Sequence, residues 1–162
     1  MARLLQLFTA HQADFFQNSA FPDKTATTGH FGTVFEDSGD PFAAWDGRMP
    51  PTYNNGNITL ILHWASLTVT SGNCRWDAAF ERLDEDGQSL LSSGFAADQP
   101  VTSAASSTAN ALVYSSIAFS NAQADGVQAG ESFRIRITRD TTDAADTMVG
   151  DAFLLNIGVL EA

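Results

Sequence analysis

Two segments near the middle of the chain alternate apolar and polar residues with a period of two, and this pattern restricts the fold most. They read NITLILHWASL and NCRWDAAFERL. The apolar positions that share one face are Ile58, Leu60, Leu62 and Trp64 in the first segment and Cys74, Trp76, Ala78 and Phe80 in the second. A period of two is that of a β-strand with one buried face. The turn-like TVTSGN between the segments predicts that they form a hairpin.

Further strand patterns follow, and they favour an all-β fold. ALVYSSIAFS, ESFRIRITRD and DAFLLNIGVLE are strand candidates, and the loops between them are rich in Asp, Ala, Thr and Gly. The segment from Gln99 to Asn110 predicts a loop with a short strand. Several strands with no convincing helical pattern after residue 57 predict an antiparallel β-sandwich of jelly-roll type.

The N-terminal third has a different pattern, and we predict an irregular arm and linker at residues 1–56, followed by the sandwich domain at 57–162. Phenylalanines are scattered among polar residues, and Pro41, Pro50 and Pro51 predict a loop before the first regular strand. HFGTVFE is a strand candidate, whereas the first twenty residues are compatible with either a helix or an extended chain. The apolar arm residues that we expect to need a partner surface are Leu4, Leu5, Phe8, Phe15, Phe16 and Phe21.

Two of the strand candidates are apolar on both faces. Ile61 and Leu67 oppose the face of Trp64, and Leu154 and Leu160 oppose Phe153 and its neighbours. A strand of a monomeric sandwich usually has one solvated face. Two interpretations stay open: the arm covers these strands, or they form a subunit interface. The predicted interface residues are Ile61, His63, Leu67, Leu154 and Leu160.

Charge and cysteine content exclude several classes of protein. The net charge of −11 opposes attraction to nucleic-acid phosphates and to anionic membranes, so neither is an expected partner. Cys74 is the only cysteine, so an internal disulfide is impossible, and its position on the apolar face predicts a buried thiol. The apolar run at the start of the chain is shorter than the core of a signal peptide. No stretch approaches the ~20 apolar residues that span a bilayer.

Enzymatic motifs are not found in the sequence. It contains no nucleophile elbow, phosphate-binding glycine loop, paired-histidine zinc motif or CxxC. We therefore expect no catalytic residues and no cofactor. The strongest metal candidate is RDTTDAADTMVGD, with Asp140, Asp143, Asp146 and Asp151. Its spacing matches no EF-hand, and aspartate also caps turns, so we expect turn chemistry and no bound metal.

Two aromatic residues lie in the segment rich in proline and glycine. If Trp45 and Tyr53 were exposed there, their rings could stack on sugars or enter a pocket of a partner. They provide the basis for an alternative function, a carbohydrate- or receptor-binding module.

The strings HWASLTVTSGNCRWDAAFERL and GESFRIRITRDTTDAADTMVGDAFLLNIGVLE resemble a family of phage and prophage virion structural proteins. The resemblance spans about Pro50 to Glu161. It rests on a strand ending in Trp, a TSGN turn, a strand ending in FER, and a late pair of strands with FR, RD and DTM.

The resemblance implies a jelly-roll core and a function as a capsid decoration, or cement, protein. Such a protein would form a homotrimer, bind the major capsid protein on the exterior of the phage head through the apolar residues of its N-terminal arm, and assemble in the host cytoplasm. The alternative is a carbohydrate- or receptor-binding module of a tail fibre, tail spike or surface protein.

Overall fold

The protein consists of β-strands joined by turns and loops. The computed structural model describes residues 2–9, 12–14, 23–27, 30–83 and 94–162. The strands are β1 (Arg3–Thr9), β2 (Ala13–Asp14), β3 (Asp23–Thr27), β4 (His30–Phe35), β5 (Phe42–Arg48), β6 (Ile58–Ser66), β7 (Asn73–Leu83), β8 (Gln99–Ala104), β9 (Val113–Phe119), β10 (Ser132–Arg139) and β11 (Ala152–Glu161). The expected all-β class is confirmed.

The strands form two antiparallel sheets that pack face to face as a sandwich. One sheet has six strands in the order β3-β4-β11-β6-β9, and β1 also pairs with β11. Strands β4 and β1 share one edge of β11, because Ala152 to Leu154 pair with β4 and Asn156 to Glu161 pair with β1. The other sheet has five strands in the order β2-β5-β10-β7-β8.

The core lies between the sheets and uses the faces that the alternation predicts. All eight inward positions of β6 and β7 that the sequence indicated are fully buried. Trp76 contacts two aromatic rings across the sandwich, Trp64 at 5.7 Å and Phe35 at 5.1 Å between ring centroids. Edge-to-face contacts of this kind favour aromatic packing beyond the burial of apolar area.

The connection from β6 to β7 is not a hairpin, and this expectation was wrong. Strand β6 belongs to the six-stranded sheet and β7 to the five-stranded sheet, so residues 67–72 cross between the sheets. Both strands bury large apolar faces, and placing them on opposite sheets lets Trp64 and Trp76 meet in the core. The alternation fixes which side of each strand is buried, but not which neighbour the strand pairs with.

The boundary expected at residue 56 does not separate an arm from a domain in the described residues. Strands β1, β3 and β4 belong to the six-stranded sheet, and β2 and β5 belong to the five-stranded sheet. The segment expected to be a loop contains β5, which pairs with β10 along its whole length. Long-range pairing is therefore what orders this part of the chain.

A β-bulge in β11 corrects the expected position of Leu154. Along β6, Leu154 pairs with Trp64 and Asn156 pairs with the adjacent His63, so Leu155 is an extra residue. The bulge reverses the alternation, as bulges do. Leu154 faces the core, 1% exposed, and is not a subunit-interface residue, whereas Phe153 and Leu155 face outward.

Candidate functional site

The outer face of the six-stranded sheet is apolar and largely without charge. Its central row contains His63 on β6 and Tyr114 on β9, which are directly paired across the strands. The next row places Ala65 on β6 beside Phe153 on β11. Among the described side chains that β1, β4, β6, β9 and β11 direct outward, none is Asp, Glu, Lys or Arg. This is unusual for a chain with 27 charged Asp, Glu, Lys and Arg residues.

A groove crosses this face at one end. It has a volume of about 200 Å³ and is partly open to solvent. Its lining is mostly apolar, with one imidazole and one carboxamide, and consists of His30, Ala65, Leu67, Asn110, Leu112, Phe153 and Leu155. The ring of Phe153 forms part of the groove because β4 has Gly32 beneath it: a Cβ atom there would lie 2.4 Å from the ring.

Tyr114 projects from the face next to the groove. Its side chain is 64% exposed, and its ring meets the His63 ring edge to face with 4.6 Å between centroids. Burial lowers the pKa of His63, so its imidazole is neutral at pH 7. A neutral imidazole can both donate and accept a hydrogen bond. The row therefore offers an exposed phenol ring and a polar group beside an apolar groove.

The structure brings together most of the predicted interface residues. Ile61, His63, Leu67 and Leu160 all lie on this outer face and are partly exposed. Four residues at or beside the groove were not predicted from the sequence, namely His30, Asn110, Leu112 and Tyr114. The outward parity of Tyr114, between the inward Val113 and Ser115, was the signal that could have identified it.

The predicted arm residues do not form one exposed surface. Leu4 is 59% exposed on the outer face beside Leu160, and Leu5 packs partly against the core. Phe8 is fully buried against Phe133, with ring centroids 6.1 Å apart, so it is not available to a capsid. Phe15, Phe16 and Phe21 lie outside the described residues.

Trp45 and Tyr53 are core residues, and the expectation of exposed rings at these positions was wrong. Trp45 is 1% exposed and donates its indole N–H to the carbonyl of Thr9 at 3.0 Å. Tyr53 is 3% exposed and its hydroxyl donates to the carbonyl of Gly56. Strand β5 and the packing of the following loop remove both rings from solvent. Any sugar stacking would have to use other aromatic residues.

The outer face of the five-stranded sheet differs, because it carries ion pairs. Arg134 pairs with Glu81 at 3.0 Å and with Asp46 at 3.2 Å. Arg136 pairs with Asp98 at 2.8 Å. The Phe95 ring lies over both guanidinium groups, 5.2 Å from that of Arg134 and 4.9 Å from that of Arg136. This face is thus occupied by its own side chains, and the uncharged face is the better candidate for a binding surface.

The aspartates of the metal candidate bind groups of the protein. Asp140 Oδ1 accepts hydrogen bonds from the backbone N–H groups of Thr142 and Asp143. Asp143 Oδ1 accepts from Ala145 N at 2.7 Å, and Asp146 pairs with the buried Arg139. Within the described residues, no three His, Cys, Asp or Glu side chains are placed to hold a metal ion.

In the described ranges of the chain, no helix has the length and apolarity needed to cross a bilayer.

Comparisons by sequence give no family for the chain. No protein-family model matches it, and no curated protein sequence is significantly similar.

Comparison of structures places the chain among β-sandwich proteins. It is similar to part of an exo-β-1,3-galactanase from Phanerochaete chrysosporium in complex with β-1,3-galactotriose, with a TM-score of 0.53 and 12% identity, covering 97% of this chain. The chain spans only 29% of that galactanase. It is also similar to the xylan-binding module CBM15, with a TM-score of 0.51 and 14% identity, covering 98% of this chain and 97% of the module.

A carbohydrate-binding module from Cellvibrio mixtus lichenase 5A in complex with cellotriose has a TM-score of 0.47 and 12% identity, with 99% of each chain covered. At such identities the first two similarities establish a shared fold. The class defined here is therefore a β-sandwich of the type that occurs in carbohydrate-binding modules.

Proposed function

We propose that the protein is a non-catalytic carbohydrate-binding module. The observation that carries the proposal is the uncharged groove next to the exposed ring of Tyr114. Sugar rings have an apolar C–H face that can pack on an aromatic ring and hydroxyl groups that need polar partners. Tyr114 supplies the ring, and His63, His30 and Asn110 supply polar groups close to it. The fold shared with a xylan-binding module supports the same proposal.

The absence of charge on this face, among its described residues, suggests which sugars it binds. A neutral polysaccharide can bind there without the removal of a charged group from water. A uronic acid would place its carboxylate on an apolar surface, where no positive side chain among the described residues pairs with it, and the protein's net charge of −11 would repel it. The proposed ligand is therefore a neutral glycan. The groove volume of about 200 Å³ is of the order of one sugar ring, with further rings extending over Tyr114.

Affinity electrophoresis in gels containing neutral xylan, galactan or mixed-linkage glucan tests this function. We expect retardation by at least one of these polymers. Tyr114→Ala should abolish it, and Tyr114→Phe, which keeps the ring, should retain most of it. Loss of an aromatic ring that stacks on a nucleobase costs about 1–3 kcal/mol, and we expect a loss of the same order for a sugar ring packed on Tyr114.

Thr102→Ala is the matched control, because Thr102 is an exposed residue of β8 on the other sheet. It should leave retardation unchanged. If none of the neutral polymers retards the protein, or if Tyr114→Ala retards as strongly as the parent, the proposal is wrong.

A second candidate is the capsid decoration protein implied by the resemblance to virion structural proteins. The observation that favours it is the number of exposed aliphatic side chains on the same sheet face, such as Leu4, Leu7 and Leu112. Aliphatic groups are better suited to burial against a protein than to sugar binding. Co-sedimentation with empty phage heads tests this candidate, and it is rejected if the protein stays in the supernatant at micromolar concentration.

A further inference from the structure

A row of polar side chains crosses the outer face of the six-stranded sheet, perpendicular to the strands. Tyr114 on β9 pairs with His63 on β6. His63 pairs in turn with Asn156 on β11, and Asn156 pairs with Thr9 on β1. All four side chains are at least partly exposed, and we name them the polar row. The sugar site proposed above uses Tyr114 and His63 and gives no role to the other half of the row.

The carboxamide of Asn156 contains a polar atom without a partner in the described part of the chain. Its Oδ1 is buried and accepts no hydrogen bond there. The hydroxyl of Thr33 and the indole N–H of Trp76 share this property, but both belong to fully buried residues. Nε of Arg136 shares it too, but that side chain lies on the ion-paired face of the other sheet. An unpaired buried acceptor destabilises a fold, so the one on the uncharged face calls for an explanation.

A ligand on the polar row would supply the missing partner. Asn156 as a whole is partly exposed, so a rotation of its side chain brings the carboxamide to the surface of the sheet. A carboxamide both donates and accepts hydrogen bonds, and a pair of hydroxyl groups on a neutral sugar does the same. The bound state would then pair an atom that the free protein leaves unpaired, and this difference favours binding.

We propose that Asn156 is a specificity-determining residue of the carbohydrate site, which hydrogen-bonds a second sugar ring of a glycan that lies across the strands. This inference rests on the proposed function. Adjacent strands are about 4.8 Å apart, so Asn156 lies about 10 Å from Tyr114, two strands away. One sugar ring packed on Tyr114 does not reach that far, whereas a disaccharide or a longer chain does. The polar row therefore selects oligosaccharides over monosaccharides.

NMR titration with the monosaccharide, disaccharide and trisaccharide of a polymer that retards the protein tests the inference. We expect the affinity of the parent protein to rise with the length of the sugar. Asn156→Leu should lower the affinity for the trisaccharide about tenfold, the value of one hydrogen bond, and leave that for the monosaccharide nearly unchanged. Its melting temperature should equal or exceed that of the parent, because the variant no longer buries an unpaired polar atom. Asn156→Ala, which adds no bulk, should show the same loss of affinity.

Asn57→Leu is the matched control, because it makes the same substitution at an exposed asparagine six residues before His63, about 20 Å away along the strand. It should change neither affinity nor melting temperature. If Tyr114→Ala loses binding but both Asn156 variants bind the trisaccharide like the parent, the inference is wrong and the proposed function stands. If both Asn156 variants lose stability and bind every sugar less well, the residue is only structural and the inference is again wrong. A parent protein that binds none of the sugars overturns both.

Discussion

Arg139 and Asp146 form a bidentate ion pair inside the sandwich. Nε of Arg139 lies 3.0 Å from Oδ2 of Asp146, and Nη2 lies 3.0 Å from Oδ1. The guanidinium also donates to the backbone carbonyls of Phe35, Met148 and Gly150. Burial opposes its charge, but the hydrogen-bonded Asp146 outweighs burial and raises the pKa of Arg139. The pair fixes the loop between β10 and β11 against the core.

The same loop is joined to the turn between β6 and β7. Asn73 accepts hydrogen bonds at its carbonyl from the N–H groups of Thr147 and Met148, at 2.8 and 2.9 Å. The N–H of Asn73 donates to the Thr147 hydroxyl at 2.9 Å. The TSGN turn is far in sequence from the RD and DTM elements, and the three form one contact cluster in the fold. Their joint occurrence in the chain has a structural cause.

Replacing Arg139 by methionine should lower the free energy of unfolding by about 3–5 kcal/mol, because the buried Asp146 carboxylate loses its counter-charge and keeps the hydrogen bond from the N–H of Arg75. Urea unfolding followed by tryptophan fluorescence measures this. Arg136→Ala removes an ion pair whose side chains are 29% and 42% exposed, and should cost about 1 kcal/mol or less. Equal losses in the two variants would contradict the role assigned to the Arg139–Asp146 pair.

Gly72 is a position where a side chain should not be tolerated. Its φ is +91°, and an added Cβ would lie 2.6 Å from the Thr147 carbonyl oxygen and 2.7 Å from Met148 Cα. Gly72→Ala should therefore destabilise the protein by about 1–3 kcal/mol. The control is Gly56→Ala, which meets no atom within 4 Å and should leave the melting temperature nearly unchanged. A Gly72→Ala variant as stable as that control would mean that the turn and the loop do not touch.

Deletion of residues 1–30 should give a protein that melts early or aggregates, because it removes β1 and Phe8 from the fold. A single substitution tests whether the buried ring of Phe8 accounts for this loss of stability. Phe8→Ala should cost about 3–5 kcal/mol, the usual range for a buried phenylalanine. Leu4→Ala, at an exposed site of the same strand, should cost about 0.5 kcal/mol or less. A deletion variant with parental stability would instead restore the interpretation of this segment as a separate arm.

Cys74 should not react with a thiol reagent in the native protein. It is fully buried, and burial raises the pKa of its thiol, so the reactive thiolate is scarce at neutral pH. Labelling with a chromogenic disulfide should occur only after unfolding in urea, with one thiol released per chain. Rapid labelling without denaturant would show that β7 has the opposite register.

The stability of the protein should fall as pH decreases through about 6.5, in part because of His63. Burial lowers the pKa of His63 in the folded state, so the unfolded chain takes up a proton at a higher pH than the folded protein does. The stabilisation that comes from a neutral His63 is therefore complete above the pKa of the unfolded chain and is lost as the pH falls towards the pKa of the folded protein. His63→Gln should reduce the difference between melting temperatures at pH 7.5 and pH 5.5. If the difference is unchanged, carboxylates alone produce the pH dependence.

The sequence identified the buried side of individual strands better than it identified their neighbours. The inward faces of β6 and β7 follow from alternation, but their location on opposite sheets depends on contacts between Trp64 and Trp76 that no local pattern contains. Strand β5 was missed because its Gly and Asp residues and the prolines around it resemble a loop. It is ordered by its pairing with β10.

The candidate site could be predicted only in part, because local alternation does not show which strands are neighbours. Ile61 and Leu160 lie on the outer apolar face as expected, since alternation is regular along β6 and along β11 after the bulge. Leu154 was misplaced because the bulge lies one residue after it. The groove joins residues of β4, β6, β11 and the loop before β9, such as His30 and Asn110, and only the order of the strands brings them together.

The bulge in β11 has a consequence for length variation in this strand. Leu155 is an insertion into an otherwise regular alternation, in which Ala152, Leu154, Ile157 and Val159 face inward. Removal of one residue from a central strand normally exchanges its two faces and destroys the core. Loss of Leu155 would instead restore regular alternation and keep every inward side chain in place. The strand can therefore shorten by one residue here, which changes the groove that Leu155 lines while the interior stays intact.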